Sequence, residues 1–204
     1  MNGCPRLLSE VQVISLQTLK QAIEKLHKTY RIPHIIVTSV RNTGKLSTIS
    51  IVGSTGRLDF SPRIFQIEVP NIDCYFSGTG DMFAALILVR LREAIVNANL
   101  LEKKSWVSPD HVKAVNLPLA DAAERVLGSM QAVLEKTKNA RDQELEKMGG
   151  PLGVMEKESD SEKRSRLRKS KAAEVRVVRC PQDLKDPDKK WKAIAVEDGD
   201  NALW

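Results

Sequence analysis

The chain is poor in cysteine, in aromatic residues and in long apolar runs, and each shortage removes a class of explanation. Its three cysteines, Cys4, Cys74 and Cys180, are too few and too widely spaced for a disulfide framework, or for a zinc knuckle built from close C-x-x-C pairs. A reducing, cytoplasmic setting is the expectation. The three histidines, His27, His34 and His111, fall on separate predicted elements without ligand spacing, so they predict no metal site. With only 4% aromatic residues, the core has to be aliphatic. The longest unbroken apolar run, residues 82–89, is only eight residues long, and residues 1–8 contain no extended apolar segment. Neither a membrane span nor a secretory leader is expected.

The 204 residues are 42% hydrophobic and 28% charged, with a formal net charge of +6. The location of that charge decides what it means. The run 163–171 holds Lys163, Arg164, Arg166, Arg168, Lys169 and Lys171, which equals the whole excess. Such a cluster could bind nucleic acid through phosphates. It lacks interleaved aromatic residues for base stacking, however, and Glu156, Glu158, Asp160 and Glu162 precede it directly. A solvated loop of mixed charge is the better reading, and no nucleic-acid partner is expected. Residues 141–173 as a whole, rich in glycine, glutamate, lysine, arginine and serine without apolar periodicity, read as a disordered charged insertion.

The ordered elements are more legible before that point. Leu16, Leu19, Ala22, Ile23, Leu26 and Tyr30 recur at three- and four-residue intervals and predict an amphipathic helix. Three β-rich runs follow at 34–39, 48–52 and 64–69, punctuated by Gly44 and by Gly53 and Gly56. Ile35-Ile36-Val37 is continuously apolar, as expected of a strand covered on both faces, whereas 64–69 alternates and reads as a half-exposed or edge strand. A nearly all-apolar helix from Asp81 to about Leu91 is expected to be wholly buried. A second amphipathic helix should cover roughly 119–137, and a closing strand about 174–179. Helix, strand and hairpin in this order imply a layered α/β fold.

Between the third strand and the apolar helix lies Gly78-Thr79-Gly80-Asp81. Two glycines let backbone approach a ligand closely and take up positive φ. The free N–H groups of a first helical turn, at the positive end of the helix dipole, suit a phosphate. A carboxylate at Asp81 could accept the proton of an alcohol attacked by a γ-phosphoryl group. The competing reading is structural: aspartate is a preferred helix N-cap, and Gly-x-Gly-Asp turns occur without chemistry. By the same standard Thr38 and Ser39 are ordinary polar strand ends, Ile72 is ordinary core, and Cys74 is a small buried apolar residue.

The longer string Phe76-Ser77-Gly78-Thr79-Gly80-Asp81-Met82-Phe83-Ala84-Ala85 closely resembles the catalytic signature of pyridoxal kinases, members of the ribokinase-like superfamily. Sugar kinases of that superfamily typically carry A-x-G-D here, and hydroxymethylpyrimidine kinases typically have cysteine in the place of Asp81. The resemblance therefore points to the vitamin kinase and makes 34–86 the nucleotide-binding and catalytic segment. It implies an α/β ribokinase-like layered fold, partial, with helices on a mainly parallel sheet. Residues 7–140 would form the C-terminal half of the kinase domain, 174–190 its closing strand and turn, and 191–204 a polar tail.

The implied activity is ATP-dependent phosphorylation of the 5′-hydroxymethyl group of pyridoxal, pyridoxine or pyridoxamine. Asp81 would be the catalytic base in contact with substrate. Gly78, Thr79 and Gly80 would hold phosphate, and Thr38, Ser39 and Ile72 would hold ATP. Implied cofactors are Mg²⁺ and, at Thr38, a monovalent cation, and the family resemblance leaves room for a homodimer. Members of the family are about twice as large as the ordered part of this chain, and residues 1–6 do not resemble the segment that should precede Leu7-Leu8-Ser9. A missing N-terminal half is thus expected, with the pyridoxal-ring contacts, a lid and the acidic residues near Mg²⁺, and little or no turnover by this chain alone. No metal ligand is assigned here. The alternatives are another small-molecule kinase of the same superfamily, or a non-catalytic regulator that keeps the fold and dimerises.

Overall fold

A computed structural model describes residues 16–40, 47–147 and 174–197. The chain divides into two compact units. One comprises residues up to Asn71, Leu91–Glu124 and the chain from Trp191 onward; the other comprises Ile72–Arg90 and Arg125–Lys190.

The first unit is built on α1 (Leu16–Tyr30) and the strands β1 (His34–Val40), β2 (Thr48–Gly56), β3 (Pro62–Pro70) and β4 (Ile194–Ala195), in the sheet order β1-β2-β3-β4. The buried stripe of α1 is Leu16, Leu19, Ile23 and His27. The expected face is there, but its last place goes to His27 while Tyr30 is exposed. Leu19 and Ile23 pack with Val40, Val52 and Ile64, joined by Ile35, Val37 and Val196. On the opposite sheet face Phe65 lies over Gly53, its cross-strand partner. A Cβ at residue 53 would fall 2.1 Å from the Phe65 ring, so the glycine there is a packing requirement.

Three expectations about the sheet and the apolar helix are corrected first. The sheet is not mainly parallel: β1–β2, β2–β3 and β3–β4 all pair antiparallel. The links from β1 to β2 and from β2 to β3 are too short for the crossover of a dozen or more residues that parallel neighbours need. The strand at 34–40 is a half-buried edge with exposed Thr38 and Ser39, whereas β3 lies inside the sheet and is buried along most of its length. Its polar residues are inside because they are hydrogen-bonded. The Gln66 amide donates to Ser50 Oγ at 2.9 Å. The Arg63 guanidinium donates to the carbonyls of Gly56, Ser108, Pro109 and Val112 at 2.7–3.2 Å.

The third correction concerns α2 (Thr79–Asn97). Met82, Arg90, Ala94 and Ile95 are buried, but Leu88 is 66% and Val89 55% exposed, and Val96 is also exposed. A helix packed on one side leaves part of an all-apolar sequence outside, so apolarity alone does not bury it.

The second unit joins the start of α2 to the later part of α3 (Pro118–Lys147) and to the segment 174–190 with its short helix α4 (Pro181–Lys185). Met82, Val133 and Cys180 form its buried centre, with Leu86, Met130, Leu134, Val175, Val177 and Leu184 around them. The Arg90 guanidinium donates to the carbonyls of Leu184 and Lys185 at the end of α4, where a cation complements the helix dipole. Residues 174–179 are not a strand. They make a single parallel bridge, Ser77 to Glu174, followed by a 3-10 turn at Val177–Arg179. The helix α3 continues to Lys147, past the expected insertion boundary at 141, while most of that insertion, including the basic run, lies outside the described residues. In the segment read as a polar tail, Ile194 and Ala195 pair with β3.

Candidate functional site

Ser77 closes the bridge to Glu174, and the next residue turns the chain into α2 with Gly78 at φ 89°. That left-handed value is open to glycine and costly for residues carrying a Cβ. The Met82 N–H donates to the Gly78 carbonyl at 3.1 Å, which closes the first turn and leaves the amides before it directed outward. Gly80 differs from Gly78. Its backbone is not left-handed, and a Cβ placed there meets nothing within 4 Å. Packing and backbone geometry leave residue 80 free to be alanine.

Asp81 is on the first turn of α2 and exposed. The helix starts at Thr79, so Asp81 is its third residue and not its cap, which disposes of the N-cap explanation. Among the described residues its carboxylate has no hydrogen-bond or ion-pair partner. Gly78, Thr79, Gly80 and Asp81 are thereby brought together as one outward-facing group of amides and a carboxylate at the positive end of a 19-residue helix.

Ile72 belongs to the same unit and is half-buried; its carbonyl accepts the Cys74 N–H at 2.7 Å. Cys74 is only partly buried, and its sulfur accepts an N–H from Arg141 at 2.9 Å. Thr38 and Ser39 belong to the other unit. They are exposed where the β1–β2 register breaks between Val37 and Val40. Irregular strand ends of this kind carry backbone groups not committed to the ladder.

His27 and His34 are held in structural hydrogen bonds. His27 Nδ1 faces the Ile32 carbonyl at 2.5 Å, so it carries the proton, and Nε2 then accepts from Ser54 Oγ at 2.8 Å. In His34, Nε2 donates to the Ser105 carbonyl at 2.9 Å and Nδ1 accepts from Thr55 Oγ1 at 3.0 Å. Burial holds both rings below the usual histidine range. Among the described residues no group of three histidine, cysteine, aspartate or glutamate side chains could hold a metal ion. No helix among them is long and apolar enough to cross a membrane.

No protein-family model matches the chain. Two curated yeast proteins that bear the name "Putative pyridoxal kinase" are similar in sequence. The one from Schizosaccharomyces pombe is 29% identical over 139 residues, covering 67% of this chain and 39% of its own. The one from Saccharomyces cerevisiae is 30% identical over 151 residues, covering 72% of this chain and 41% of its own. Among solved structures, the pyridoxal kinase from Leishmania donovani in complex with ADP matches 94% of this chain and 49% of its own, at 18% identity and a TM-score of 0.63. That from Trypanosoma brucei matches 92% and 48%, at 20% identity and a TM-score of 0.56. The chain thus spans about two fifths of the curated relatives it matches and about half of the solved ones. It is similar in sequence to proteins named as pyridoxal kinases, and over most of its length it has the fold of pyridoxal kinases.

Proposed function

We propose, from this kinship with pyridoxal kinases, that the chain is the C-terminal half of a ribokinase-like vitamin kinase and carries the phosphate-binding and proton-accepting part of its site. The reaction is transfer of the γ-phosphoryl group of ATP to the 5′-hydroxyl of pyridoxal, pyridoxine or pyridoxamine, in the salvage of vitamin B6. The hydroxyl oxygen bonds to the γ-phosphorus as the bond from that phosphorus to the bridging oxygen of ADP breaks. The hydroxyl proton passes to the Asp81 carboxylate. The amides of Gly78, Thr79 and Gly80 receive the charge of the transferring group, the use to which helix N-termini are suited. Thr38 and Ser39 contact ATP phosphates and Ile72 its base. The same reading carries a cytoplasmic setting and leaves room for a homodimer and for a monovalent cation at Thr38.

Mg²⁺ neutralises phosphate charge in such transfers, but the described residues hold no cluster of acidic side chains to receive it. No ligand is therefore assigned to this chain, and no step above runs through the metal.

The observation that carries the reading is the exposed Asp81, without a partner among the described residues, beside an open Gly80 on one helical turn. The test is Asp81→Asn in a chain completed with the N-terminal half of a relative. The change keeps size and removes the base. Loss of a general base costs about 10²–10⁴ in rate, whereas loss of one charge from an exposed first turn costs about 0.3–1 kcal/mol of stability. Vitamin phosphorylation should collapse while folding and ATP binding survive. Near-normal turnover by Asp81→Asn would remove Asp81 from the mechanism.

A further inference from the structure

We infer that Arg176 is a positioning residue for the glycine turn, clamped to α3 by Glu144 and Thr137 so that the segment 174–176 holds Gly78–Gly80 in place. The inference rests on the phosphate-binding role proposed for that turn.

Behind the turn, the Val175 N–H donates to the Ser77 carbonyl at 3.2 Å, and Ser77 and Glu174 form a parallel bridge. A Cβ on Gly78 would stand 3.3 Å from Val175 Cγ2, so the valine limits movement of the turn toward the protein. This support belongs to no sheet. It has one bridge, and a ladder of that length does not hold position by itself.

Arg176 supplies the rest. Its backbone N–H donates to Thr137 Oγ1 at 3.1 Å, and the fully buried Thr137 hydroxyl donates in turn to the Val133 carbonyl at 2.8 Å. That fixes the hydroxyl with a lone pair toward Arg176. The guanidinium meets the Glu144 carboxylate in a two-point pair, Nη1 to Oε1 at 2.9 Å and Nη2 to Oε2 at 2.7 Å, the directional geometry that arginine provides and lysine does not. Thr137 and Glu144 are seven residues apart in α3, two turns along one face. One side of the helix therefore grips both the backbone and the side chain of Arg176. Val175 and Val177, on either side of it, pack against Met82 and Val133, which links the grip to the first turn of α2.

The test uses the 204-residue chain and its Arg176→Ala, Arg176→Lys and Glu144→Gln variants. Amide hydrogen exchange is read at Val175 and Met82, and ATP titration is read at the amides of Gly78–Gly80. Loss of a charge-assisted two-point pair should speed exchange at Val175 and Met82 by about tenfold and weaken ATP by a similar factor. Arg176→Lys should fall between wild type and alanine, and the β2 and β3 amides of Val52 and Ile67 should not change. Unchanged exchange at Met82 would overturn the inference, and so would an equal rise in β2 and β3, which marks general loss of stability. Equal ATP affinity in wild type and Arg176→Ala with a loosened turn would also overturn it. If wild type does not bind ATP while Arg176→Ala still loosens the turn, the phosphate reading falls and the clamp stands.

Discussion

Gly78 and Gly80 are two residues apart and do different work. Gly78 is required by the fold, since φ 89° and the nearness of Val175 both penalise a side chain. Gly80 has an ordinary backbone and empty space where a Cβ would go. We expect Gly80→Ala to keep the melting temperature within about a degree or two, because alanine is the better helix former. It should lower ATP affinity of the completed enzyme at least tenfold by blocking close approach of phosphate to the amides. Calorimetry and ATP titration on the same variant separate the two effects, and unchanged affinity would remove Gly80 from phosphate binding. Gly78→Ala should instead cost about 1–2 kcal/mol of stability, visible as a lower melting temperature without any ligand. The sequence showed both glycines and Asp81 as one motif. It could not show which glycine the backbone needed, because φ depends on how Ser77 is held by a segment almost a hundred residues away.

Elements were legible where local pattern dominates and misread where neighbours decide. Helix α1, the presence of three long strands and most of α3 follow from periodicity, but Gly53 and Gly56, expected to end the second strand, lie within β2. The exchange of roles between β1 and β3 does not follow from periodicity: Gln66 looks like a solvent residue in an alternating strand, yet its hydrogen bond to Ser50 takes it inside, and the neighbouring Arg63 is buried with bonds to four carbonyls. The end of α3 was hidden for a similar reason, since Glu144 lies in a stretch whose composition suggests disorder and is engaged by a distant arginine. Packing in the second unit makes one element-scale prediction. A Cβ on Gly128 in α3 would fall 2.0 Å from the Asp188 carbonyl oxygen, so the 187–188 backbone must move if residue 128 gains a side chain. Gly128→Ala should therefore destabilise by about 1–3 kcal/mol, as overpacking does, despite the better helix propensity of alanine. Chemical denaturation measures it, and a stabilised variant would show that the segment yields freely.

At the scale of the whole molecule, stability should depend on pH through two histidines with no catalytic part. Burial is the leading cause that lowers both, with Arg63 and His27 adding unfavourable charge interactions at His34. A group lowered in the folded state binds fewer protons folded than unfolded, so its contribution is complete above the ordinary histidine value near 6.5 and is lost as pH falls through and below it. The limit is about 1.4 kcal/mol per pH unit for each ring. Unfolding free energies between pH 5 and 7.5 should rise with pH, and His27→Gln should flatten the slope; a slope unchanged in that variant would exclude His27 as a source. The sequence alone determined the motif, most of the elements around it, the aliphatic core and the resemblance to pyridoxal kinases, because these rest on residue type and short spacing. Only the tertiary structure decided that the sheet neighbours are antiparallel, that β1 lies at an edge, that α2 keeps an apolar side exposed, and that Asp81, exposed at the third position of its helix, has no partner among the described residues. Each of those depends on which distant groups satisfy a hydrogen bond or cover a face, and that information is not carried by spacing along the chain.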